Sequence, residues 1–122
     1  MYRVELVNNT QPFAAPLILH VCNTFYSRFR GYMLKDKIIA SEGLLFVESY
    51  PSRINASIHM FFMRFNLGVI WLDTEKRVVD KKLAKSWRPY YAPHRRALYI
   101  IETHPDRLGD FSVGDQVDFQ NA

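Results

Sequence analysis

Leu67-Gly68-Val69-Ile70-Trp71-Leu72-Asp73-Thr74-Glu75-Lys76-Arg77-Val78-Val79-Asp80-Lys81-Lys82-Leu83-Ala84 is the stretch that decides the fold. Leu67–Asp73 reads as a strand that is apolar on both faces, so an extended chain here has both faces covered. Thr74-Glu75-Lys76 is a tight polar connection, and Arg77–Ala84 runs on from it. Short, β-rich runs bounded by turn residues recur on either side. Upstream they are Tyr2–Val7, Leu17–Cys22, Leu44–Val47 and Ile58–Phe65, the last again apolar on both faces. Downstream they are Ala97–Glu102 and Gln116–Phe119. One segment has a different period. Asn23 is a good N-cap, and Phe25, Phe29, Tyr32 and Met33 follow at helical spacing, which predicts a helix over about 24–34. Pro105–Leu108 predicts a helical turn near 105–109. Eight short strands and one clear helix imply a mainly β sandwich or barrel.

The chain has 122 residues, enough for one domain with a real core, and neither a linker nor a repeat divides it. We therefore expect a single domain over 1–122. An apolar fraction of 48% with 23% charged residues excludes disorder. A single cysteine, Cys22, excludes an intramolecular disulfide. Residues 6–27 lack Asp, Glu, Lys and Arg, but Asn8, Asn9, Thr10, Gln11, Pro12 and Pro16 interrupt them. No membrane span and no signal peptide is expected, hence a cytoplasmic location.

The formal charge of +4 is unevenly placed: residues 76–96 carry +7 and the remainder −3. Trp87, Tyr90 and Tyr91 lie inside the basic segment, and Pro89 and Pro93 stiffen it. Cations beside aromatics suit single-stranded nucleic acid. No recognisable nucleic-acid motif accompanies them, so a solvated basic strand is favoured, with Trp87 and Tyr90 closing over the core.

The order of the polar punctuation is distinctive. Arg28-x-x-Gly31-x-Met33 is followed by Gly43-Leu44-Leu45-Phe46 and by His59-Met60-Phe61-Phe62-Met63-Arg64-Phe65-Asn66-Leu67-Gly68-Val69. Trp71-Leu72-Asp73, Leu98-Tyr99-Ile100-Ile101-Glu102 and Gly114-Asp115-Gln116-Val117 complete the series. Over about 20–119 the chain resembles the prokaryotic family known as domain of unknown function 192. The resemblance implies a compact jelly-roll-like sandwich or barrel with short helices, but no reaction. The chain departs from the family pattern at Asn66, where Pro is usual, and at Gly68, where Asp is usual. It departs again at Thr103-His104-Pro105-Asp106, where a short Gly-containing turn is usual.

Glu102 is the leading chemical candidate. It shares a strand face with Leu98 and Ile100, so period-two geometry aims it at the core. There it acts either as an acid/base or ligand-anchoring group, or as one end of a structural Arg–Glu lock. Arg28, beside the helix's apolar stripe, and Arg64, on the expected strand face of Ile58, Met60 and Phe62, are the natural partners. His59 falls on the other face of that strand, among Phe61, Met63 and Phe65. His20, Cys22, His59, His94 and His104 contain one close pair, His20-x-Cys22, so neither a metal nor a cofactor is expected. Cys22 reads as a small hydrophobe.

These features favour a non-enzymatic binding domain for an anionic or polar small molecule or a glycan. Arg28, His59, Arg64, Trp87, Arg88, Tyr90 and Glu102 are its candidate site. The alternatives are an enzyme using Glu102 as acid/base and single-stranded nucleic-acid binding through 76–96.

Overall fold

A computed structural model describes residues 2–22, 31–32 and 36–122. The expected helix over 24–34 and Arg28 lie outside the described residues, apart from Gly31 and Tyr32. The fold is mainly β. Seven strands, β1 (Arg3–Asn8), β2 (Leu17–Val21), β3 (Glu42–Ser52), β4 (Leu67–Leu72), β5 (Val78–Ala84), β6 (Ala97–Thr103) and β7 (Val117–Asn121), form one mixed sheet. Their order is β5-β4-β6-β3-β2-β1-β7. Only β2 and β3 run parallel. A single 3₁₀ turn, Pro105–Asp110, follows β6 where a helical turn was expected, its Asp106 N–H donating to the His104 ring.

The sheet curls. Arg77 and Gln116 form one isolated bridge between the ends of β5 and β7, so the barrel stays open along the rest of that seam. Alternation along each strand then sorts the apolar side chains into two cores. Leu6, Leu19, Leu45, Ile70, Ile101 and Val117 pack on the inner face. Leu44, Phe46, Val69, Trp71, Ala97 and Ile100 pack on the outer face, which is covered by Tyr32, Ile38, Ile58, Met60, Met63 and Tyr91. The sequence of β4 is explained by this arrangement: all six of its residues are buried because it has a core on each side.

Gly43 is required at the start of β3. A Cβ there would lie 2.7 Å from the Glu102 carbonyl oxygen and 2.9 Å from Leu19, so only glycine lets β2, β3 and β6 approach.

One expected strand does not form. In Ile58–Phe65 only Ile58 pairs, in a lone bridge with Tyr91. The chain then turns at Phe61–Phe62, with Phe62 at φ 62°. Met60 and Met63 are buried together, while Phe61 and Phe62 are exposed. The apolar character on both expected faces therefore reflects a turn with its aromatics in solvent, not a strand between two cores. Among the described residues no helix is long and apolar enough to cross a membrane.

Candidate functional site

Glu102 sits on the outer face of β6, where alternation aimed it. Its cross-strand neighbours are Leu44 on β3 and Val69 on β4, and Ile100 precedes it on the same face. The row continues outward to His20 on one side and Lys82 on the other. The two side chains flanking Glu102 are thus hydrocarbon, and the polar ones stand one strand further away. Above the carboxyl comes Gly31, at φ 50°: a Cβ added there would lie 3.4 Å from Glu102 Oε1 and 3.5 Å from the Phe46 ring. Gly31 thus brings bare backbone onto the carboxyl in a conformation that other residues rarely adopt.

Glu102 keeps only 8% of its surface. Among the described residues its carboxyl makes no hydrogen bond and no ion pair. Burial pushes its pKa from 4.5 up to about 7. Tyr32 lies over the same core, its ring edge-on to Phe65 at 5.9 Å. Burial, then the charge of Glu102, with smaller contributions from Glu42 and Cys22, pushes the Tyr32 phenol well above its ordinary range. The pair is therefore an acid poised near neutrality beside a phenol that keeps its proton.

The expected Arg–Glu lock with Arg64 is absent, because Arg64 does not lie on a strand. It follows the Phe61–Phe62 turn and pairs with Asp36 at the surface. A second grouping takes up the other candidates. Backbone hydrogen bonds join Ile58 and Tyr91 in both directions, at 2.8 and 2.9 Å. Met60 donates its N–H to the Arg88 carbonyl, and Trp87 donates to the Met60 carbonyl. Asn66 Oδ1 accepts the Ser86 N–H, and the Tyr91 hydroxyl accepts the Lys85 N–H. This pinned loop presents Phe61, Phe62, Trp87 and Tyr90 at 42%, 51%, 57% and 59% exposure. Trp87 and Tyr90 do not close over the core, as their aromatic character led us to expect. Phe62 and Trp87 meet edge to face at 5.2 Å, and the exposed His59 ring lies 5.7 Å from Phe61.

The contacts thus divide the expected single site into a buried acid at Glu102 and an exposed aromatic ridge. Sequence reading missed Tyr32 as a neighbour of Glu102, although its place beside Gly31 in the Arg28-x-x-Gly31 motif was the available signal. A groove of about 300 Å³ lined by residues 5–8 and 12–16 holds none of the candidates.

The basic segment is partly spent on structure. Lys81 Nζ donates to the Leu108 and Phe111 carbonyls, and Lys82 Nζ to Ala92. Lys76 pairs with Asp118. Asp80 accepts the backbone N–H of His94, whose ring Nδ1 lies 3.0 Å from the same carboxylate.

The family model DUF192, described as an uncharacterized ACR, matches residues 6–119. The chain belongs to this family. A UPF0127 protein of Thermococcus sibiricus is 40% identical over 94% of the chain and 74% of its own length. A second, from Thermococcus kodakarensis, is 46% identical over 80% of the chain, which spans 60% of that relative. In fold, the chain is similar to a solved protein of unknown function from Novosphingobium aromaticivorans, with TM-score 0.76 and 19% identity over 95% of the chain and 83% of that protein. Gly68, where the resemblance implied Asp, does not face Glu102. Position 68 lies on the inner face, where a Cβ would meet Leu108 at 2.9 Å.

Proposed function

We propose that this DUF192 domain binds a small polar ligand, a sugar or another hydroxylated molecule, with Glu102 as the anchoring group. The observation that carries this reading is the carboxyl of Glu102, a residue only 8% exposed, which stands between Leu44 and Val69 with no hydrogen bond or ion pair among the described residues. Burying a carboxyl in hydrocarbon is costly unless something compensates, and unpartnered buried polar groups concentrate at functional sites. Near neutral pH the Glu102 carboxyl supplies both an O–H donor and an acceptor, the pairing that a hydroxyl group offers in return. Tyr32, held neutral, supports a further donor close by.

A thermal-shift screen of sugars, nucleotides and organic acids tests this. A saturable rise in Tm that disappears in Glu102→Leu is expected; no stabilisation at millimolar ligand would remove the proposal. A second reading, Glu102 as general acid or base, is favoured by its pKa near the working pH. It differs in one outcome: a ligand found in the screen would be consumed when followed by NMR, and Glu102→Gln would abolish turnover while leaving binding measurable.

A further inference from the structure

The aromatic ridge is not used by the Glu102 reading, and three independent features set it apart. Among the described residues, three non-glycine positions have positive φ, and two of them, Phe62 and Trp87, face each other across the ridge. Bulky aromatics in the left-handed region cost backbone energy, and such strain persists where the surroundings over-determine it, often at binding sites. The Met60–Trp87, Met60–Arg88, Ser86–Asn66 and Ile58–Tyr91 hydrogen bonds supply that determination, so the rings are presented on a rigid support.

The charge is equally one-sided. Between Asp80 and Glu102 the chain contains no acidic residue. Lys85, Arg88, Arg95 and Arg96 are exposed there, and their side chains make no ion pair or hydrogen bond among the described residues. Within the same stretch Lys81 and Lys82 are tied to backbone carbonyls, so among its described residues these four cations are left for a partner.

We propose that the ridge of Phe62, Trp87 and Tyr90, with Lys85, Arg88, Arg95 and Arg96, is a docking surface for single-stranded nucleic acid. Exposed rings stack on bases without regard to sequence, and flanking cations track the phosphates. Rigidity separates this partner from a lipid surface: a loop fixed by four backbone–backbone hydrogen bonds and one from backbone to the Asn66 side chain suits stacking on bases better than yielding into a bilayer interface.

Fluorescence anisotropy with labelled ten-nucleotide oligothymidylate and oligouridylate tests the assignment. Binding should weaken with salt at a log–log slope of about −3, the value for four phosphate contacts to a single strand. Trp87→Ala and Tyr90→Ala should each weaken binding about tenfold. Tyr90 has no partner among the described side chains, so its variant keeps the test valid if Trp87→Ala disturbs the loop. Lys85→Gln with Arg88→Gln should make the slope shallower by about 1.4. No binding at 50 mM salt, a flat salt dependence, or unchanged affinity in both aromatic variants would overturn the proposal. Sedimentation with phosphatidylserine-containing vesicles in the absence of oligonucleotide binding would overturn it as well.

Discussion

Glu102 is a single acid whose pKa connects sequence, packing and stability. Its orientation was legible from alternation in Ala97–Glu102, since that requires only the period of a strand. That it has no partner among the described residues was not, because that depends on which residues β3 and β4 place beside it, namely Leu44 and Val69. Nor could the sequence show that Arg64 goes to Asp36, since the expected strand face of Arg64 does not exist. The pH dependence follows from the raised pKa. Below its ordinary value of 4.5 both folded and unfolded chains carry the proton, and the group adds no penalty. As pH rises from there to about 7 the unfolded chain loses a proton that the folded one keeps, so stability declines through that window and stays lowered above it. At about 1.4 kcal/mol per pH unit the full penalty is about 3 kcal/mol. Denaturation of Glu102→Gln should therefore show a higher midpoint than the parent at pH 8 and nearly the same midpoint at pH 4. Gly31→Ala should destabilise by about 1–2 kcal/mol, because its positive φ excludes a Cβ more firmly than the space above Glu102 does. Chemical denaturation measures both.

Among the elements, most of the strands were legible because their apolar residues alternate or run continuously over a short length. The failure at Ile58–Phe65 has a physical cause: a turn that exposes Phe61 and Phe62 has the same apolar composition as a buried strand. Only the backbone, with Phe62 at φ 62° and a single bridge at Ile58, separates the two. The 3₁₀ turn after β6 was legible from Pro105, but its structural role was not. Arg107 on that turn is buried and donates to Asp110 and to the carbonyls of Ala15, Pro16 and Ala40. It thereby fastens the turn to the entry of β2 and the approach to β3. Arg107→Met should leave these carbonyls without their donor and destabilise the fold by about 3 kcal/mol, while far-UV circular dichroism of the folded protein stays the same.

At the scale of the whole molecule, one sheet serves two cores, and neighbouring residues report on different ones. Ile100 packs outward and Ile101 inward. If the sheet couples the two faces, Ile100→Ala and Ile101→Ala should each lower one cooperative transition, by about 2–5 kcal/mol. Calorimetry resolving two transitions in either variant would contradict that coupling. Whole-chain charge was misleading: +4 conceals a basic segment in which Lys81 and Lys82 are tied to backbone carbonyls and Lys76 to Asp118, while its arginines make no ion pair among the described residues. The acid at Glu102 depends on this architecture, since it needs hydrocarbon from the strands on both sides and Gly31 above. Carbon-detected NMR titration of the Glu102 carboxyl is the most direct measurement of that arrangement. The account predicts a midpoint near 7; a midpoint at or below 4.5 would mean that the carboxyl is paired or solvated, and would contradict it.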